Sequence, residues 1–170
     1  NNLAMLLKAT NRYFEAECCM RRALAIDQAC FGSNHPSVAT ALNNLATLLQ
    51  ATNHHAEAEY CLRGALRIDE DSFGPDHPRI ATRLNNLAIL LSISNRFAET
   101  VEPMRRMMFI FAQFTAQTGY EHPHLRSACR NYISLEQRLV QPVHEARRRL
   151  RCTLAEGGMT PDQIEQVLQS

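Results

Sequence analysis

The stretch NNLATLLQATNHHAEAEYCLRGALRIDEDSFGPDHPRIAT, residues 43–82, decides the fold because most of it has a close copy earlier in the chain. Residues 1–42 align with residues 43–84 without a gap and share 25 of 42 positions. The string NNLA begins at Asn1, Asn43 and Asn85, so the period is 42 residues. A fixed period of this length indicates an array of repeated helical units.

The repeat continues in a weaker form toward the C-terminal end. Residues 85–110 match residues 43–68 at 11 of 26 positions, and His122-Pro123 follows His77-Pro78 after 45 residues, three more than the period. We therefore expect repeats at about 1–35, 36–77 and 78–122, and a degenerate fourth repeat from residue 123. The array is expected to occupy residues 1–141 and to be followed by C-terminal helices and a cap over 142–170. Because residue 1 falls inside a predicted helix, a truncated first repeat or a fragment is expected.

Each unit is predicted to contain two helices that bury one face. The first runs from about Pro36 to Ala51, with Asn34 as a candidate cap and Pro36 in its first turn. The second runs from about His55 to Ser72, and Gly74 ends it. Apolar residues recur on one side of each helix at 3.6 residues per turn: Leu42, Leu45, Ala46 and Leu49 in the first, and Ala58, Leu62, Ala65, Leu66 and Ile68 in the second. Neither helix can bury this face alone, so neighbouring units must stack.

The order of leucines and alanines resembles the tetratricopeptide repeat. The pattern L-x-x-L-A-x-x-L spans Leu42 to Leu49, and A-x-x-x-L-x-x-A spans Ala58 to Ala65. The long unit is similar to those of kinesin light chains and of many bacterial proteins, over about residues 1–135. The resemblance implies an all-α fold, an α-α superhelix that forms a right-handed solenoid of helical hairpins closed by a C-terminal capping helix. In such a solenoid the first helices line a concave groove.

Composition and motifs argue against several other classes of function. The 18 Lys and Arg residues balance 17 Asp and Glu, so nucleic acid is not an expected partner. The sequence lacks the run of about 20 apolar residues that spans a bilayer, so a membrane is not expected either. Phosphate-binding glycine loops and the common hydrolase motifs are also missing, so we expect neither an enzyme, nor a cofactor, nor a metal site. His35, His77 and His122 each precede a proline at the repeat spacing and are read as turn elements.

Six cysteines occur without a C-x-x-C pair. Scattered cysteines of this kind are typical of reduced thiols that pack as small apolar side chains. The cysteines therefore predict a reducing, cytoplasmic location and burial of most thiols.

Two features of the C-terminal half leave alternatives open. In the third repeat Ala58 and Ala65 are replaced by Thr100 and Met107, and the segment Met104–Phe114 is apolar on nearly every side. We expect the C-terminal helices to cover this segment, with a homodimer through it as the alternative. The arginines of Arg147–Arg151 predict a solvated helix face, with an anionic partner as the alternative.

The face of each first helix opposite the leucines is polar, small and neutral, which suits a binding groove. The predicted groove residues are Asn44, Thr47, Asn86, Ile89, Ile93, Arg130 and Asn131. Asparagine is unfavourable inside a helix, but its amide can pair with the backbone of an extended peptide. The resemblance implies the same role, since asparagines at this place contact peptide in similar tetratricopeptide proteins. The alternative is that these asparagines bridge adjacent helices.

The function that follows from these expectations is a protein–protein interaction scaffold. It would hold a peptide or partner segment in its concave groove. The alternatives are a structural or oligomerisation segment, and the regulatory sensor arm of a larger multidomain protein.

Overall fold

The computed structural model describes residues 12–139 and 142–169, and within them all regular secondary structure is helical. The helices are α1 (Tyr13–Phe31), α2 (Pro36–Ala51), α3 (His55–Phe73), α4 (Pro78–Ile93), α5 (Phe97–Thr118), α6 (Leu125–Arg138), α7 (Val143–Glu156) and α8 (Pro161–Leu168). The predicted all-α class is therefore confirmed. Of the roughly nine helices predicted, the first falls on residues that lie outside the described part of the chain.

Turn histidines cap the first helices of the repeats. The backbone N–H of Ser37 donates to Nδ1 of His35, and the N–H of Arg79 donates to Nδ1 of His77, each at 3.2 Å. The prediction that Asn34 caps α2 is therefore wrong. Because Pro36 takes the first helical position, the residue directly before it occupies the cap.

Asparagine and glycine allow the turns between helices to bend sharply. Asn53, between α2 and α3, has a φ of 62°, and Asn95, between α4 and α5, has a φ of 57°. Gly32 and Gly74 follow α1 and α3 with φ of 85° and 86°. Left-handed backbone favours these two residue types over all others, which explains why the turns keep them in each repeat.

The chain divides between Pro75 and Asp76 into two compact units, which we call the N-terminal unit and the C-terminal unit. In the N-terminal unit, α2 packs against α1 and α3. Its core contains Val38, Ala39, Ala65 and Ile68, with Leu24 and Leu42 packed against them. On the surface, Arg21 of α1 pairs with Glu57 of α3 at 2.6 Å.

The C-terminal unit is built around α5, which contacts α4, α6 and α7. The end of α7 approaches α5 so closely that a Cβ on Gly157 would lie 2.5 Å from the Cβ of Ala112. Met108 and Ala112 are fully buried. The prediction that C-terminal helices cover the segment Met104–Phe114 is thus confirmed for the side that faces α7. The alternative homodimer through this segment stays a prediction.

The last helix, α8, packs against α6 and α7. It begins with a capping box in which the Gln163 N–H donates to Thr160 Oγ1 at 3.3 Å and the Thr160 N–H donates to Gln163 Oε1 at 2.9 Å. Ile164 and Val167 of α8 are buried. These contacts confirm the helix start predicted at Thr160 and hold α8 on the C-terminal unit.

Candidate functional site

A groove with a volume of about 790 Å³ lies within the C-terminal unit. Helices α4 and α6 form its walls, and α5 forms its floor. The lining residues are Pro78, Ala81, Thr82, Asn85, Ala88, Ile89, Ser92 and Ile93 of α4; Phe97, Thr100, Met104, Met107 and Phe111 of α5; His122 and His124 of the following turn; and Ser127, Ala128, Asn131, Ser134, Leu135 and Arg138 of α6.

The floor of the groove is apolar. Met104, Met107 and Phe111 are buried and follow one another along α5, with Thr100 at one end of the row. Methionine side chains are flexible and polarizable, so a floor of this kind can adapt to apolar groups of different shape.

The α4 wall carries large apolar side chains that remain open to solvent. Ile89 is 45% exposed and Ile93 is 52% exposed, and both line the groove as the sequence predicted. Exposed apolar side chains beside a concave surface are typical of interaction sites.

The α6 wall is more polar and ends in a positive charge. Asn131 is exposed and lines the groove, as predicted, and Ser134 lies one turn further along. Arg130 is also exposed but is not among the lining residues. The arginine that lines the groove is Arg138, whose guanidinium carbon lies 5.0 Å from the centre of the Phe97 ring. This distance allows a cation–π contact that holds the side chain at the end of the groove.

Asn85, rather than Asn86, is the asparagine of α4 that lines the groove. Asn86 is half-buried and lies about 100° further round the helix. The sequence placed the groove face opposite the leucine stripe. Since α4 also buries Ile80, Arg83, Leu87 and Leu90, its open face is narrower and is rotated toward Asn85 and Ser92.

The two predicted residues Asn44 and Thr47 belong to α2 in the N-terminal unit. Asn44 is half-buried and Thr47 is exposed. The Thr47 hydroxyl donates to the carbonyl of Asn43 at 3.0 Å, a bond within its own helix. These two residues are therefore not brought to the groove between α4 and α6, and their binding role stays a prediction.

A histidine stacked on the floor closes one end of the groove. The His122 ring lies parallel to that of Phe111, with 4.0 Å between centroids, and meets Phe114 edge-on at 5.2 Å. Its Nδ1 accepts from the backbone N–H of His124 at 3.2 Å, and the backbone N–H of His122 donates to Thr115 Oγ1 at 3.1 Å. Burial lowers the pKa of His122, and the neighbouring His124 lowers it further.

The ionisable side chains that line the groove are all basic. Among the described lining residues none is acidic, whereas Arg138 stands at one end and His122 and His124 at the other. Sequence reasoning missed Arg138 and treated His122 only as a turn element. The seven-residue step from Asn131 to Arg138, about two helical turns, is the signal that would have placed this arginine on the same face.

The arginine cluster of α7 is matched by nearby carboxylates. Arg148 pairs with Glu145 at 2.7 Å, and Arg151 pairs with Glu165 at 2.9 Å. Arg149 approaches Glu145 at 3.4 Å and the buried Glu136 at 3.5 Å. These ion pairs favour a solvated helix face over a surface for an anionic partner.

All six cysteines are free, but only Cys61 and Cys129 are buried. Burial raises the pKa of both thiols, to about 12 for Cys129. The expectation that most thiols are buried is wrong: Cys18, Cys30 and Cys152 are exposed. Cys152 lies one turn from both Arg148 and Glu156 on α7, so it shares a solvated face that cysteine spacing alone does not reveal.

Neither metal nor membrane features accompany the groove. In the part of the chain that the structure describes, histidine, cysteine and acidic side chains do not gather in the groups of three that could hold a metal ion. The described helices are also too short or too polar for any of them to cross a membrane.

Comparison with known proteins identifies the repeat. The family model for the tetratricopeptide repeat matches residues 1–71 and 55–106. The fold is similar to the crystal structure of BtubC (BKLC) from P. vanneervenii, with a TM-score of 0.72 and 20% identity. That match covers 99% of this chain, which spans 62% of the BtubC chain. No match was found among curated proteins.

A second similar structure comes from Podosopora anserina and is described as having nearly identical TPR-like repeats of the kinesin light chain type. Its TM-score is 0.65 at 20% identity, and the match covers 99% of this chain and 89% of that one. The predicted resemblance to the long repeats of kinesin light chains is thus confirmed.

Proposed function

Because this chain belongs to the tetratricopeptide repeat family, we propose that it is a non-enzymatic scaffold that holds an extended segment of a partner protein in the groove of its C-terminal unit. Tetratricopeptide repeats are generally protein–protein interaction modules. The proposal includes a cytoplasmic location, which the six free thiols support.

The observation that carries the proposal is the pair Ile89 and Ile93. Both are about half exposed on a wall whose floor is already apolar. Removing an apolar side chain from water contributes about 25 cal/mol per Å² of area, so a ligand that covers both isoleucines gains affinity from each. Polar groups on the same walls, Asn85, Asn131 and Ser134, can donate to and accept from the ligand backbone.

The proposal keeps Ile89, Ile93 and Asn131 as contacts from the predicted set and adds Asn85 and Arg138. Asn86 and Arg130 lie at the margins of the two walls, where they would touch only a wider ligand. Of the three asparagines predicted from the sequence, the proposal therefore keeps Asn131 in this groove, and Asn85 takes the place of Asn86 on the α4 wall.

The test begins with a phage library of random peptides selected on the immobilised chain. Peptides that are enriched are synthesised with a fluorescent label, and their dissociation constants are measured by anisotropy. The double change Ile89→Gln and Ile93→Gln is expected to weaken binding by about 1–3 kcal/mol, since it removes apolar cover without disturbing buried side chains.

The matched control is Val143→Gln, which changes an apolar residue that is 40% exposed in the same unit but outside the groove. This variant should bind like the unchanged chain. The proposal is wrong if no peptide is enriched, or if enriched peptides bind the double variant and the unchanged chain equally.

A further inference from the structure

We propose that a cleft between α5 and α7 is a modification site, where the thiol of Cys152 forms a mixed disulfide with a small anionic thiol held by arginines. The cleft has a volume of about 450 Å³ and lies within the C-terminal unit. It shares no described lining residue with the groove between α4 and α6. The inference therefore goes beyond the proposed function and does not depend on it.

Three guanidinium groups reach the cleft from two different helices. Arg105 comes from α5, whereas Arg148 and Arg149 come from α7. Arg147 and Arg151, which belong to the same basic run of α7, are not among the lining residues. The fold thus selects two arginines of the run and adds one that is distant in sequence. The volume falls within the range of about 300–1,000 Å³ that is typical of small-molecule sites.

The carboxylates that pair with these arginines can be replaced by those of a ligand. Arg105 pairs with Glu102 at 3.0 Å and Arg148 pairs with Glu145 at 2.7 Å, and the two arginine side chains are 44% and 73% exposed. Glu156, the acidic residue of the described lining, is 3.7 Å from Arg105 and is also exposed. Because exposed ion pairs contribute little to stability, exchanging one carboxylate for another is easy here. Each arginine can therefore turn toward an anion in the cleft.

Cys152 brings a nucleophile into the same cleft. Its thiol is free and exposed, and it lies one turn from Arg148 on α7. A hydrogen bond with Glu145 is the main cause that raises the pKa of Arg148, and the charge of the Cys152 thiolate adds to the effect. The sulfur and the guanidinium are thus within electrostatic reach of each other. Since the thiolate is the form that attacks a disulfide, an anionic disulfide bound by the arginines would meet its nucleophile directly.

The reagent that fits is the disulfide of a small thiol that carries carboxylates, such as glutathione disulfide. After Cys152 has lost its proton to water, its sulfur attacks one sulfur of the reagent. The disulfide bond of the reagent breaks, and a new bond joins Cys152 to one half. The other half leaves as a thiolate and takes up a proton from water. Cys152 is oxidised and the departing thiol is reduced, so no further oxidant is needed, and a free thiol reverses the step.

The test compares an anionic and a cationic disulfide on the unchanged chain. The protein is treated with glutathione disulfide or with cystamine, samples are quenched with acid, and mass spectrometry of proteolytic peptides gives a rate constant for each cysteine. Cys30 is the internal reference, because it is exposed and has Asp27 one turn before it. The ratio of the two rate constants removes differences in the exposure of each thiol. We expect this ratio to be about tenfold higher at Cys152 than at Cys30, because arginines concentrate the anion in the cleft.

A double variant tests whether the arginines cause this preference. Arg105→Gln combined with Arg148→Gln removes one guanidinium from each helix, and it should lower the ratio at Cys152 by about tenfold. Arg149 is kept, because it approaches the buried Glu136 at 3.5 Å and its loss would leave that carboxylate exposed to an apolar surrounding. Circular dichroism establishes that the variant is folded.

The matched control removes the same charge elsewhere in the C-terminal unit. Arg130→Gln combined with Arg147→Gln changes two exposed arginines that do not line the cleft. This variant should keep the ratio of the unchanged chain. If either double variant does not fold, Arg148→Gln and Arg147→Gln provide the same comparison one residue apart on the surface of α7.

A preference for the anionic disulfide that is greater at Cys152 than at Cys30, and that falls only when arginines of the cleft are removed, supports the proposal. Equal ratios at the two cysteines overturn it, because Cys152 would then react only as an exposed thiol. An equal fall in both double variants also overturns it, since net charge and not the cleft would set the preference. Retention of the ratio without Arg105 and Arg148 has the same consequence. Each of these outcomes is separate from peptide binding in the groove.

Discussion

The N-terminal and C-terminal units are built from the same repeat, yet the second helix of each presents different side chains to its neighbours. Along α3 the repeat positions are Ala58, Leu62, Ala65 and Asp69, all buried. The positions 42 residues later on α5 are Thr100, Met104, Met107 and Phe111. These four residues are the ones that form the row along the groove floor.

The comparison teaches that the departure from the repeat pattern coincides with the proposed binding groove. Small residues let α2 and α3 approach closely, and Ala39 and Ala65 share the core between them. Larger side chains on α5 fill the space between α4 and α6 and provide an apolar floor. On the other side of α5, at Ala112, the C-terminal unit has a further helix, α7, packed against it.

The largest expected effect on stability comes from replacing a glycine of the C-terminal unit, Gly157. Gly157→Ala places a Cβ 2.5 Å from the Cβ of Ala112 and 3.0 Å from the carbonyl oxygen of Phe109, so α7 must shift away from α5. We expect the free energy of unfolding to fall by about 3 kcal/mol or more, the upper end for overpacked sites, because one of the two contacts is with backbone that cannot turn away. Urea unfolding followed by circular dichroism measures the change.

The matched change in the N-terminal unit should have the opposite sign. In Gly64→Ala the new Cβ lies 3.4 Å from Cδ1 of Leu42, an ordinary contact with the tip of a flexible side chain. Replacing glycine inside a helix then stabilises by about 0.5–1 kcal/mol. The structure has close packing at Gly157, against α5, and free space at Gly64 of α3. This contrast is wrong if both changes destabilise the protein, or if neither does.

Ala65 of α3 and Met107 of α5 occupy the same repeat position. Exchanging the two residue types tests whether side-chain size at this position defines the floor of the groove. Met107→Ala should cost about 2 kcal/mol or more by leaving a cavity, and should deepen the groove. Ala65→Met should cost about 1–3 kcal/mol, because Ala65 is fully buried and has no groove to expand into.

The readout that distinguishes these two variants is binding of peptides from the phage selection. Met107→Ala should change affinity because its side chain lines the groove. Ala65→Met should destabilise the protein without affecting peptide binding at temperatures where it is folded. Equal effects of both changes on affinity would show that the floor has no special role.

How far the sequence predicts this molecule depends on whether a feature repeats. Helix positions and the turns followed from Leu, Ala, Pro and Gly at fixed spacing. The exposed isoleucines also followed, since their helix face was counted from the leucine stripe. Asn85 and Arg138 did not follow, because the rotation of α4 and the end of α6 are set by packing on several sides at once.

The turn histidines show that residues with the same place in the repeat can have different surroundings, which the sequence does not predict. His35 and His122 look alike in sequence, and Nδ1 of each accepts from the backbone N–H two residues further along. Only His35 is the cap of a helix, because α6 begins after His124. Their rings differ: His35 is exposed and stacks on Phe31 at 4.8 Å, whereas His122 is half-buried against Phe111. The added residues in the third repeat change which phenylalanine meets the histidine, and a repeat alignment does not show this.

The smallest expected effect follows from that burial and concerns stability without ligand. Burial lowers the pKa of His122 below its ordinary value of 6.5, so the folded chain holds this proton less readily than the unfolded chain. The contribution of the neutral ring is therefore present above pH 6.5 and is lost as the pH falls through the folded-state pKa. Urea midpoints measured between about pH 7.5 and 5.5 should decline less steeply for His122→Asn than for the unchanged chain. Parallel declines would mean that the ring is not desolvated by Phe111 and Phe114, and the difference between the two turns would then be one of position alone.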